Sequence, residues 1–320
     1  INIPDQLRPH AVSLGRIYAA VLVFHYILIV TNGILRAVKK VRISLVTMTI
    51  VSAVNITFSF FLVFMTPVGF RGIAFASGAA VLVGSVINVS RILPLIPRPR
   101  SFSKSFGMRV FAIGWPSGAG QLSWQIHSMI LFMILSALPV HRIEVLAAFS
   151  AGLRVESVIF LPALAFNFAN AVIVGNLLGE GRKIEAFRAG IVTALMGVAV
   201  VTFLTGVVIL GARWIMPLLS TNEIVVQEGV RYLYISMLSE PFMAFWLILG
   251  GALIGAGDTL AVMVTVSLST WLVRIPLASF LVFILGAGSS SVWWSLNISQ
   301  ILTCCFIMHR YFRKKWLELD

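Results

Sequence analysis

Gly250-Gly251-Ala252-Leu253-Ile254-Gly255-Ala256-Gly257-Asp258-Thr259 closes one apolar run, and Trp271-Leu272-Val273-Arg274-Ile275-Pro276-Leu277-Ala278-Ser279-Phe280-Leu281-Val282-Phe283 closes the next. Two helices joined by a tight glycine turn account for this pair, and the same design occurs once before. Gly33-Ile34-Leu35-Arg36-Ala37 stands where Gly251 to Gly255 stands, at an offset of 218. Phe61-Leu62-Val63-Phe64 matches Phe280-Leu281-Val282-Phe283 at 219, and Gly69 matches Gly288 at 219. A constant offset across three landmarks predicts an internal repeat of three helices.

Composition bounds the class. Of the 320 residues 59% are hydrophobic and 11% charged, and the mean hydropathy is +1.00. Apolar stretches of that kind predict an all-α polytopic membrane protein whose solvent is the lipid bilayer. The net charge of +13 sits between the apolar runs, so it reads as topology and predicts no nucleic-acid partner. Cys304 and Cys305 are adjacent and offer neither a disulfide framework nor metal spacing.

Nine spans are expected, near 11–35, 43–65, 71–93, 107–137, 146–178, 186–212, 228–254, 259–284 and 289–309. A Pro- and Arg-rich linker at 96–106 cannot continue a helix and divides the chain into 1–95, with three helices, and 107–320, with six. Sixteen of the 24 Lys and Arg fall in the connections on one side, which makes that side cytoplasmic and places the C-terminus there. The repeat pairs spans one to three with seven to nine. It therefore predicts a fragment, with about 110 residues and three further spans before Ile1, and two parallel six-helix lobes in the intact protein.

An ionisable group inside a span is costly and marks a candidate site. Arg154, Glu156, Glu240 and Arg274 all fall about 12–18 Å deep, counted at 1.5 Å per residue from the span edges. Glu240 precedes Pro241, whose ring opens a kink, so it is the first candidate for loading and releasing an ion, with Glu156 second. Arg154 and Arg274 are expected to complete a buried charge network with these acids. Arg154 and Glu156 are two apart and face differently, so each needs a partner on another helix. The amides and imidazole of Gln121, Gln125, His127, Asn167, Asn170 and Asn55 are candidate cleft-lining groups. Asp258 reads as the N-cap of the helix starting at Thr259, and Trp293, Trp294 and Trp316 as interfacial anchors. No phosphate-binding loop, nucleophile elbow or metal cluster is present in the sequence, so no catalytic residue, metal or cofactor is expected and the chain does not read as an enzyme.

Several of these stretches together resemble the multidrug and toxic compound extrusion (MATE) family. Gly250 to Thr259 is similar to its Gly-x-Leu-x-Gly-x-Gly-Asp-Thr turn, and Arg274-Ile275-Pro276 to the Arg-Ile-Pro of its eleventh helix. Leu153-Arg154-Val155-Glu156-Ser157 with Phe160-Leu161-Pro162 resembles its eighth helix, and Gly175-Asn176-Leu177-Leu178-Gly179-Glu180-Gly181-Arg182 the loop that follows. Gly114-Trp115-Pro116 is similar to the opening of its seventh helix. The resemblance implies helices four to twelve of a twelve-helix fold. It also implies a secondary antiporter, acting as a monomer, that exports organic cations, drugs or metabolites in exchange for protons or sodium. Two alternatives stand beside it: a lipid-linked oligosaccharide flippase of the same superfamily, which would present a strongly cationic cavity, and a non-transporting membrane scaffold, which would not need four buried charges at one depth. Ser59-Phe60 stands where many members carry Asp-Pro, and no acid occupies the neighbourhood of Trp124 and Gln125.

Overall fold

The computed structural model describes residues 8–95 and 103–318, with side chains from 12 onward in the first stretch. Nine helical passages run through the described residues, in the order the sequence predicts. They are α1 (Arg8–Ala37), α2 (Val41–Phe64), α3 (Gly72–Ile92), α4 (Lys104–Ser136), α5 (Arg142–Gly179), α6 (Lys183–Leu219), the broken pair α7 (Glu223–Ser236) and α8 (Glu240–Gly255), the broken pair α9 (Thr259–Leu268) and α10 (Ile275–Ser279), and α11 (Ser289–Phe312). Eight passages are long and apolar enough to cross a membrane; α4 is the one outside that set, its first half being diluted by glycine, serine and glutamine. The expected linker falls mostly at 96–102, outside the described residues. It is shorter than expected, because Ser103 already caps α4 by accepting from the Phe106 amide at 3.4 Å.

The chain divides into two compact units, Ile1–Phe102 and Ser103–Asp320. Within the first, α3 packs against both α1 and α2, which touch each other much less. The cause is its small-residue surface: a Cβ at Gly84 would stand 2.4 Å from Val51 of α2 and 3.0 Å from Leu28 of α1. Without a hydrophobic force between helices in lipid, such close approach is what holds them together. Polar side chains add to it: Ser85 donates to the Phe24 carbonyl at 2.7 Å, and Ser44 to Asn32 Oδ1 at 2.7 Å.

In the second unit, α5 packs on α6 and α8, and α4 on α9. The last helix, α11, lies against α7 and α8 on one side and the α9–α10 passage on the other, the same bridging arrangement that α3 makes between α1 and α2. Two breaks shape the passages. A 3-10 turn at Met237–Ser239 separates α7 from α8 just before Pro241, where the ring cannot donate to the helical ladder. Wider π turns at Ser269–Arg274 and Phe280–Ile284 flank Pro276. Trp293 and Trp316 are fully buried, contrary to an anchoring role. Trp293 stacks on Phe149 and meets Tyr232 edge-on, and Trp316 donates to the Tyr311 carbonyl at 2.8 Å. Trp294 is exposed.

Candidate functional site

Two registers place the polar groups of the second unit. Helices α5 and α7–α8 run parallel: Gly152 lies against Tyr232, Asn170 donates to the Ile248 carbonyl at 2.9 Å, and Gly175 lies against Gly255. Partners thus stand about 80 positions apart, which brings Glu156 level with Ser236. Gly152 has a specific cause. A Cβ there would fall 2.2 Å from the Tyr232 ring, so only glycine lets the ring edge lie this close to α5. One turn further, the Tyr232 hydroxyl donates to Glu156 Oε1 at 2.5 Å. Glu156 therefore faces α7, and Arg154, two positions away on α5, faces out.

Arg154 is exposed, and among the described residues its side chain makes no ion pair or hydrogen bond. The expectation that it joins a buried network is corrected on that ground. The buried cation is Arg274, 6% exposed, presented by the π turn before Pro276. Its Nε donates to Ser299 Oγ of α11 at 2.6 Å, and its Nη1 lies 3.2 Å from His127 Nε2 of α4. An arginine only donates, so His127 accepts at Nε2 and is held as the neutral ring protonated at Nδ1. The guanidinium also stands 5.8 Å from the Trp124 ring centre.

Glu156, Tyr232, Ser236, His127, Arg274 and Asn297 line one cavity of about 100 Å³, with Trp124, Phe132 and Phe149 among its apolar walls. That volume holds about three water molecules, well under the ~300–1,000 Å³ of a drug-sized pocket. Glu240 lies beside the cavity, 3% exposed and within electrostatic reach of Glu156, with Oε2 lacking a hydrogen-bond partner among the described residues. Asn297 braces the break next to it, donating to the Ile235 carbonyl at 2.6 Å and accepting from Ser239 at 2.7 Å.

The other expected cleft residues do not line this cavity. Asn167 and Asn170 are not cleft groups: they clamp α5 to its neighbours, donating to the Leu247 carbonyl at 2.7 Å, the Ile248 carbonyl at 2.9 Å and the Gly190 carbonyl at 3.2 Å. Gln121 and Gln125 are exposed and lie outside the cavity lining. Asn55 belongs to the first unit, where its Oδ1 accepts from Ser59 at 3.2 Å and Ser77 at 3.4 Å. Asp258 sits at the start of α9 but makes no capping hydrogen bond; it pairs with Arg310 of α11 at 2.7 Å instead. Sequence reasoning missed Tyr232, Ser236 and Ser299. The signal was available for the first two, which stand eight and four residues before Glu240 on one face of the passage.

The MatE family model matches residues 116–280, which is more than half of the chain and includes every residue of this site except those on α11. The chain belongs to the MatE family. Among curated MATE-type relatives, a probable multidrug resistance protein NorM of Mesorhizobium japonicum is 25% identical over 314 residues, covering 92% of this chain and 66% of its own length. The corresponding protein of Bradyrhizobium diazoefficiens is 29% identical over 170 residues, covering 52% and 36%. The chain thus spans from about a third to two thirds of the first relatives it matches. Among solved structures, a MATE transporter in the bent conformation has a TM-score of 0.88 at 17% identity, covering 99% of this chain and 71% of that one. The MATE transporter ClbM in complex with Rb+ has a TM-score of 0.80 at 20% identity, covering 91% and 66%. These likenesses establish a multi-pass membrane protein of the MATE fold.

Proposed function

We propose that the protein works as a secondary antiporter, exporting organic cations or other amphipathic small molecules in exchange for protons or sodium. We place it as a monomer in the inner or plasma membrane with a cytoplasmic C-terminus. On this reading residues 1–95 belong to the N-terminal lobe and the unit from 103 onward is the C-terminal lobe. The names of the NorM relatives support the substrate class. The observation that carries the coupling role is the pair of half-buried Glu156 and buried Glu240 beside Arg274. Two acids against one arginine, with His127 neutral, leave one negative charge to be met by a proton or a cation. Glu240, with its unpartnered Oε2 at a helix break, is the carrier; Glu156, tied to Tyr232, is the fixed partner.

An excess of acid also disfavours an oligosaccharide-lipid flippase, whose pyrophosphate cargo needs a cationic cavity. The test is export of ethidium from proteoliposomes holding the complete transporter, with a proton gradient and a sodium gradient imposed separately. Export driven by at least one of them is expected. Equal export with neither gradient would contradict antiport.

A further inference from the structure

The buried polar atoms with no hydrogen-bond partner among the described residues include His127 Nδ1 on α4, which lines the cavity, and three on the α6 to α8 segments: Glu240 Oε2, Ser236 Oγ and Thr205 Oγ1. Each of these three sits on a different segment, α8, α7 and α6. Leaving such groups unmet costs about 1–3 kcal/mol each, so three at one level need a common explanation. The register of α6 against α7–α8 supplies the level. The position of a Cβ on Gly197 meets Ile248, and that on Gly229 meets Met216. Between these contacts both strands of the antiparallel pair advance 19 residues, so the 3-10 break does not shift the register. Thr205 is eight residues past Gly197, and Glu240 is eight before Ile248. Thr205 therefore stands opposite Glu240. Ser236 is four residues before Glu240 on the same face, and its hydroxyl lies close to Glu156 without completing a hydrogen bond.

We propose that Thr205, Ser236 and Glu240 form a buried site for one water molecule that carries protons between Glu240 and Glu156. The chemistry selects water over a bare cation. Thr205 needs an acceptor for its own proton, which a metal ion does not provide, while Ser236, whose proton goes to Glu156, and the ionised Glu240 carboxylate need a donor. Water does both, and a polar cavity with two to four partners is where buried water resides. The step balances. Protonated Glu240 gives its proton to the water oxygen, the water gives one of its protons to Ser236 Oγ, and Ser236 releases its own to the Glu156 carboxylate. Glu240 ends ionised, Glu156 ends protonated, and water and serine are unchanged. Thr205 holds the water and does not exchange.

The charged and titratable groups around this path are Tyr232 on α7, Arg274 on the α9–α10 passage and His127 on α4; α11 contributes Asn297 and Ser299. The path explains why the two acids lie on separate helices with a hydroxyl between them. Glu240 can then exchange its proton while the Glu156–Tyr232 tie stays in place.

The inference rests on the coupling role proposed for Glu240, and the experiment separates the two. The complete transporter is placed in proteoliposomes with an imposed proton gradient and ethidium as the exported cation. Thr205→Val and Ser236→Ala should each slow proton-driven export about tenfold, the effect of losing one buried hydrogen bond. Both should leave ethidium affinity at fixed pH unchanged and alter the slowing seen in heavy water. Thr205→Ser should restore the rate, since it keeps the hydroxyl. Wild-type export by Thr205→Val and Ser236→Ala, while Glu240→Gln is uncoupled, overturns the water path alone. A Thr205→Ser variant as slow as Thr205→Val also overturns it, because the hydroxyl is then not the cause. Wild-type coupling in Glu240→Gln overturns the role of Glu240 and the path with it.

Discussion

Gly152 decides which charge is buried. Its missing side chain lets the Tyr232 ring lie against α5, and that ring delivers a hydroxyl to Glu156 at 2.5 Å. Gly152→Ala should push the ring away at a cost of about 1–3 kcal/mol, the usual range for overpacking. It should lower both thermal stability and coupled export. An unchanged melting temperature in detergent would show that α5 and α7 part without loss. The sequence did predict that Arg154 and Glu156 face differently, because residues two apart on a helix must. It could not show which one faces in, since that depends on a contact 80 residues distant. Arg274 was legible as a buried cation, but its partners were not: they are Ser299 and His127, neutral groups that carry no charge signal. The lesson extends to Asn167 and Asn170, whose Nδ2 groups donate to neighbouring helix carbonyls.

The adjacent glycines Gly250 and Gly251 test how α8 is seated. A Cβ on Gly251 would stand 2.3 Å from the Asn167 backbone carbonyl oxygen, which cannot swing aside, whereas one on Gly250 meets only Val262 at 3.6 Å. Gly251→Ala should therefore destabilise by about 1–3 kcal/mol, while Gly250→Ala should be neutral or stabilising by up to about 1 kcal/mol. Thermal unfolding of the two variants checks this, and equal effects would contradict the α5–α8 crossing. Asn297→Ala should free the Ile235 carbonyl beside the break and loosen α7 from α8, seen as faster amide exchange over 235–240 with the rest of α8 unchanged. The break itself was legible from Pro241. The 3-10 and π turns were not, because they depend on how neighbouring helices satisfy the freed carbonyls. Trp293 misled for a related reason. Tryptophan near the end of a span usually marks the interface, but here Phe149 and Tyr232 offer it a packed aromatic seat.

The two outer triplets share one design. In each, the third helix bridges two that touch each other less, and a polar residue of the middle passage reaches a serine of the third: Asn55 to Ser77 and Arg274 to Ser299. This supports the repeat that three landmarks at offsets of 218 and 219 predicted, and parallel repeats fix the orientation of every connection. With Cys304 and Cys305 replaced by serine, His141→Cys should react with a membrane-impermeant maleimide from outside, and a fluorescent protein fused after Asp320 should light the cytoplasm. Reversed labelling would invert the topology read from the lysines and arginines. Fold and family were legible because the apolar periods and glycine turns are local. The proposed coupling site was half legible, since acids stand out in apolar helices while the hydroxyls around them do not. Its most direct test is ethidium export by the Glu240→Gln transporter in proteoliposomes under an imposed proton gradient. Glutamine keeps the shape of the side chain and cannot ionise. Gradient-driven export should fall to the level of empty vesicles with ethidium binding retained; export at the wild-type rate would contradict Glu240 as the proton carrier.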